Sequence, residues 1–195
     1  MPNPLFGKIL FLIGIVSSIA IRVPHDKISK ETKNIYSGKG VLEKILLLLM
    51  LLGGFLLPLL FIFTPLLSFA DYSLSPAALT AGAICLVMYL WLFYRSHADL
   101  GRNWSVSLEL RENHELVVSG VYRRVRHPMY AAIFFGTISQ ALFLSNWIAG
   151  PAGFAAFTLM FCFRLRREER MMSGQFGESY EEYRLRTKRL IPGLW

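Results

Sequence analysis

Three short stretches of this 195-residue chain hold side chains whose types and spacing could do chemistry. The first is Arg126-His127-Pro128-Met129-Tyr130. Pro128 suits the opening position of a helix, where a missing N–H has no partner to lose. The free N–H groups of such a first turn, with the helix dipole behind them, attract an anionic group, and Tyr130 can reach toward the same place. The alternative is that Arg126 and His127 only anchor the helix among lipid headgroups. The second stretch is Arg164-Leu165-Arg166-Arg167-Glu168-Glu169-Arg170. Arg164 and Glu168, four residues apart, share a helix face about 6 Å apart along the axis. Arginine before glutamate is the less favourable order for a helical ion pair, and ionisable groups at membrane depth tend to be functional. A functional role is therefore preferred over an interfacial salt bridge. The third stretch runs from His114 and Glu115 through Leu116, Val117 and Val118 to Tyr122, β-prone and broken at Gly120. Extended backbone of this kind offers N–H and C=O groups to the edge of a flat heterocycle; taken alone, a buried connecting loop is the preferred reading.

The elements that must position these groups are membrane helices. Of the residues, 54% are hydrophobic and 17% charged, against about 25% charged in a soluble domain, and the mean hydropathy is +0.43. The apolar residues cluster into runs near the roughly 20 residues that a helix needs to cross a bilayer. Five are expected: about Leu5 to Ile21, Ile45 to Phe69, Pro76 to Tyr94, Pro128 to Leu144 and Trp147 to Phe163. The second contains Gly53-Gly54, Pro58 and Pro65 and should kink. The last two, joined by little more than Ser145-Asn146, should form a tight hairpin. Residues 1–21 could instead be a cleaved signal peptide, with Ser18 and Ala20 as small residues before the cut; a retained span is the expectation.

Charge supplies orientation. Of 21 Lys and Arg residues, 20 fall in the segment 22–44, the loop 95–126 or the tail after the fifth run, and the loops around Asp71 and Asn146 hold none. By the positive-inside rule the N-terminus lies outside, and the C-terminus and all three chemical stretches lie in the cytoplasm. The net charge of +8 is thus topological and calls for no nucleic acid. Cys85 and Cys162 sit inside apolar runs without motif spacing, and His25, His97, His114 and His127 are scattered, so neither a disulfide framework nor a metal site is expected. No GxGxxG, Walker, CxxC or HExxH pattern is present.

The motif order Gly120-Val121-Tyr122, then Arg126-His127-Pro128-Met129-Tyr130, then Glu168-Glu169, then Phe176-Gly177-Glu178 followed by Tyr180 and Tyr183 closely resembles the isoprenylcysteine carboxyl methyltransferase family, with the phosphatidylethanolamine N-methyltransferases as more distant relatives. The resemblance covers about residues 101–193, within one domain spanning 1–195. It implies an all-α integral membrane protein of five transmembrane helices. Its cytoplasmic cofactor pocket would be formed by the loop before span four, spans four and five and the C-terminal helices. S-adenosyl-L-methionine is the implied methyl donor, leaving as S-adenosyl-L-homocysteine. Carried over position by position, the resemblance sets the cofactor against His114, Glu115, Leu116, Val117 and Tyr122, then His127, Pro128, Met129 and Tyr130, and finally Glu168. Arg164 matches the arginine on the substrate side. Two positions depart from the eukaryotic pattern: Ser107 stands where those members carry glutamine, and Arg166-Arg167 where they carry an acidic run. Both bear on the acceptor more than on the cofactor.

The implied function is methyl transfer to the C-terminal carboxylate of an isoprenylated cysteine, or a similar lipid-like acceptor entering from the bilayer. A carboxylate is already nucleophilic, so such transfer needs alignment rather than a general base. Two other enzyme readings are a phospholipid N-methyltransferase and an NADPH-dependent sterol-type membrane reductase, whose C-terminal region has a similar arginine–histidine–tyrosine signature. Glu168-Glu169 and the short chain weigh against the reductase. A non-enzymatic membrane protein with a degenerate site is the weakest alternative, since the motif positions are retained.

Overall fold

A computed structural model of the chain describes residues 2–30, 34–37, 40–101, 109–111, 115–191 and 193. Helices build nearly all of it. Helix α1 covers Pro4–Lys30, α2 Val41–Leu51, α3 Leu57–Phe63, α4 Pro76–Leu100, α5 Pro128–Phe143, α6 Ala152–Phe176 and α7 Glu178–Arg186. A short antiparallel ribbon pairs β1 (Asn34–Ser37) with β2 (Glu109–Arg111), tying together the two basic connectors.

Among the described residues, three stretches are long and apolar enough to cross a membrane: Pro4–Asp26, Val41–Phe63 and Pro76–Leu100. The second combines α2 and α3 through a π-helical turn at Leu52–Leu56, where the Leu57 N–H reaches back five residues to the Leu52 carbonyl. The wider turn suits this site, because Pro58 has no N–H to return to the residue four before it. The run ends at Phe63 rather than at Phe69, because Pro65 pushes Thr64 into extended backbone (φ −136°, ψ 158°). Helix α5, at 16 residues, is shorter than a full crossing, and α6 turns polar after Phe163, continuing as a charged helix to Phe176.

Small residues let these helices approach closely, as expected where apolar surface alone cannot drive helix association. A Cβ added at Gly82 would lie 2.7 Å from the Phe143 ring, and one at Gly7 would collide with the Phe143 carbonyl. Helices α4 and α5 form the most extensive pair, and α1 packs on both. Phe11, Phe61, Leu86, Phe143 and Leu144 form one buried cluster; Leu46, Tyr130, Phe157, Met160 and Leu165 form a second. Two buried polar side chains bond across helices: Gln140 donates to the carbonyls of Gly53 (2.9 Å) and Ala149 (2.8 Å), and Ser139 donates to the Gly82 carbonyl.

The α5–α6 turn is closed by Asn146, which is fully buried. Its amide donates to the Leu67 carbonyl and to Asp71 Oδ1, both at 2.7 Å, and its oxygen accepts from the Ile148 and Ala149 N–H groups. Backbone bonds from Tyr72 to Ser145 and from Trp147 to Ala70 complete the clasp. This end of the bundle is therefore fixed, and the motif residues gather at the other.

Candidate active site

The third stretch is set by Asp99 at the end of α4. Its Oδ2 accepts the Val121 N–H at 2.8 Å, and its Oδ1 is paired with Arg95 at 3.0 Å. Gly120 turns here with φ +58°, and a Cβ at that position would strike the Asp99 carboxylate. The tight turn at Gly120–Arg123 carries Tyr122 inward. Its hydroxyl donates to the Ser96 carbonyl at 3.4 Å, and its own carbonyl accepts from Tyr183 of α7 at 2.6 Å. Burial, with Glu168 close by, raises the Tyr122 phenol well above its ordinary range, and burial does the same for Tyr183. Both are neutral donors at physiological pH.

The head of α5 is gripped by the segment after α7. The Arg126 N–H donates to the Lys188 carbonyl at 2.8 Å, and the His127 N–H donates to that of Arg189 at 3.0 Å. The Arg126 side chain turns inward, donating to Glu169 Oε1 at 2.9 Å and to the carbonyls of Thr187 and Arg184. This corrects the headgroup-anchor alternative for Arg126, whose side chain is almost fully enclosed. Arg189 closes on the other Glu169 oxygen at 3.0 Å.

His127 stands between the two glutamates, its Nδ1 3.5 Å from Glu168 Oε1 and its Nε2 3.4 Å from Glu169 Oε1. Burial disfavours the imidazolium, but hydrogen bonds and charge from both carboxylates outweigh it and hold the His127 pKa above its ordinary value. Burial likewise opposes ionising the glutamates. His127, with Arg164 and Tyr130, nevertheless keeps Glu168 below its usual range, and His127, Arg189 and Arg126 do so for Glu169. The Tyr130 hydroxyl donates to Glu168 Oε2 at 2.7 Å. Tyr130 thus orients a carboxylate, where the sequence suggested that it would reach toward an anion at the helix N-terminus.

One cavity of about 580 Å³ receives most of these groups. Of the ten residues expected at a cofactor, nine line it: Glu115, Leu116, Val117, Tyr122, His127, Pro128, Met129, Tyr130 and Glu168. The tenth, His114, lies outside the described residues. Arg164 lines the same cavity. From this polar end the space continues between α1, α2, α4 and α5 along Phe11, Ile15, Met50, Phe55, Leu86 and Ile133. Among the described residues no group of three or more His, Cys, Asp or Glu side chains is placed to hold a metal.

Sequence reasoning missed several residues. In the sequence Glu169 is only half of a motif and Arg189 only a positive charge, yet their pairing joins the segment after α7 to α6. Glu43 was not singled out. It is 1% exposed on α2, and its Oε1 lies 3.2 Å from Arg164 Nη1. An acidic residue opening an otherwise apolar run was the available signal.

Residues 81–174 match the isoprenylcysteine carboxyl methyltransferase (ICMT) family. The chain is 32% identical over 115 residues to a protein-S-isoprenylcysteine O-methyltransferase of Schizosaccharomyces pombe, covering 57% of this chain and 47% of that protein. It is 30% identical over 125 residues to the nickel-cobalt-cadmium resistance protein NccN of Alcaligenes xylosoxydans xylosoxydans, covering 64% of this chain and 54% of that one. A solved structure of a eukaryotic intramembrane Ras methyltransferase matches 77% of this chain and 52% of that chain, at 26% identity and a TM-score of 0.49. The chain spans about half the length of these relatives. The motif residues thus converge on one cavity, and across residues 81–174 the chain is similar to the isoprenylcysteine carboxyl methyltransferase family.

Proposed function

We propose that this protein is an integral membrane methyltransferase that uses S-adenosyl-L-methionine to esterify the C-terminal carboxylate of an isoprenylated cysteine or a similar lipid-like acid. The observation that carries the reading is one cavity, polar at one end and apolar along its continuation, lined by nine of the ten expected cofactor residues together with Arg164. Its size lies within the range of small-molecule and cofactor sites, about 300–1,000 Å³. The residues present fit the cofactor. Glu168, ionised and aimed by Tyr130 and His127, suits an ammonium group; the N–H groups opening α5 suit a carboxylate; Leu116, Val117 and Met129 suit the faces of an adenine.

When bound, the cofactor supplies an electrophilic methyl group on a sulfonium. Arg164 would hold the acceptor carboxylate, and the apolar continuation would take its hydrocarbon tail. The chain needs to supply no proton acceptor, because the acceptor oxygen is already anionic. Its work is orientation, which can contribute about 7–11 kcal/mol to catalysis. Five crossings, an outer N-terminus and a cytoplasmic site belong to the same reading, supported by the distribution of Lys and Arg.

The test is transfer of tritiated methyl from labelled donor to three acceptors: farnesylated cysteine, a free-acid lipid and an amine-headed lipid. Base-labile label on farnesylated cysteine, abolished by Glu168→Gln, is expected. Label only on the amine-headed lipid would overturn the carboxylate assignment, and no transfer to any of the three would overturn the reading.

A further inference from the structure

Resting on that reading, we propose that Glu43 is a positioning residue for the reaction: from α2 it holds the Arg164 guanidinium away from Glu168, so that one side chain remains for the acceptor and the other for the cofactor. Arg164 and Glu168 lie one turn apart on α6, within reach of each other even in this less favourable order of charges. Arg164 is close enough to act on the charge of Glu168. Yet Arg164 Nη1 stands 3.2 Å from Glu43 Oε1, while the Glu168 carboxylate is engaged by Tyr130 Oη at 2.7 Å and His127 Nδ1 at 3.5 Å. Glu43 takes no hydrogen bond from any described residue and is 1% exposed. A buried carboxylate held by one ion pair is a poor stabilising device, because desolvation offsets much of the attraction. Its placement is better explained by what it does to Arg164. Glu43 does not line the cavity, whereas Arg164 and Glu168 both do. It therefore acts on Arg164 from outside the cavity lining. It also lies outside residues 81–174, so the family match does not contain it.

The experiment measures S-adenosyl-L-homocysteine binding by calorimetry, and methyl transfer to farnesylated cysteine, in the full-length protein. Glu43→Gln releases Arg164 toward Glu168, which should weaken binding about tenfold, within the coupling range of contacting charged residues, and lower turnover. Glu43→Gln combined with Arg164→Gln removes the competitor as well, so binding should return to within about threefold of wild type while turnover stays lost. A helix-packing role for Glu43 predicts no such recovery. Wild-type affinity in Glu43→Gln, or a double variant as weak as the single, would overturn the proposal. Should Glu43→Gln not fold, Glu43→Asp keeps the charge but withdraws it by one methylene. Turnover about tenfold lower with an unchanged melting temperature is then expected, and wild-type turnover would overturn the proposal. If the wild-type protein itself neither binds the homocysteine product nor transfers methyl, the methyltransferase reading fails first and this inference with it.

Discussion

Arg164 and His127 are the two residues whose chemistry can be separated most cleanly from their packing. A lysine at Arg164 would keep the positive charge but lose the planar two-point grip on a carboxylate. Arg164→Lys should therefore lower turnover by about a hundredfold, as expected for a misplacement of about 1 Å, with affinity for the homocysteine product retained. Steady-state methylation beside calorimetry checks this; turnover close to wild type would reduce Arg164 to an interfacial anchor. His127 and Glu169 predict a pH window. The His127 pKa is raised in the fold, so its contribution is complete below the ordinary value of about 6.5 and is lost as pH rises through the folded value. The Glu169 carboxyl is depressed from its ordinary 4.5, so its contribution is complete above that value and is lost as pH falls through the folded one. Melting temperature in detergent should then form a plateau between about pH 4.5 and 6.5 and decline on the alkaline side. His127→Gln should remove that alkaline decline, and a melting temperature still climbing above pH 7 in wild type would contradict the assignment.

At the end of the bundle opposite the motif residues, the α5–α6 turn depends on one side chain. Asn146 satisfies two donors and two acceptors at the α5–α6 turn. Asn146→Ala would leave buried backbone groups without partners, costing at least about 2 kcal/mol. Thermal unfolding should register that loss while product affinity at the other end is unchanged; a parallel loss of affinity would mean that the two ends are coupled. The boundary between what could and could not be read from the sequence follows from distance along the chain. Pro128 opening α5, Arg164 and Glu168 on one face of α6, and the turn at Gly120 are local patterns, and local spacing encodes them. Glu43 with Arg164, Arg126 with Glu169 and Asn146 with Asp71 join residues dozens of positions apart, and no periodicity encodes such pairs. Asn146 could be read only as a loop residue, and the β1–β2 ribbon formed where two polar connectors offered no strong alternation.

For the whole molecule, the sidedness of the charges predicts that everything around the cavity faces one compartment. With Cys85 and Cys162 replaced by alanine, cysteines introduced at the exposed positions Ser119 and Trp147 should react with an impermeant reagent from opposite sides of a sealed vesicle. Reaction from the same side would overturn the arrangement. The parallel bridge between Val125 and Lys188 has a consequence in time. A ribosome delivers α5 well before the segment that satisfies the Arg126 and His127 N–H groups, and before the arginine that closes on Glu169. A nascent chain can thus have helices α1 to α6 and the Asn146 clasp in place while the cavity end is still unformed. The cavity end is closed in one late step, and a chain released before residue 189 would keep its helices and that clasp but leave the other end open.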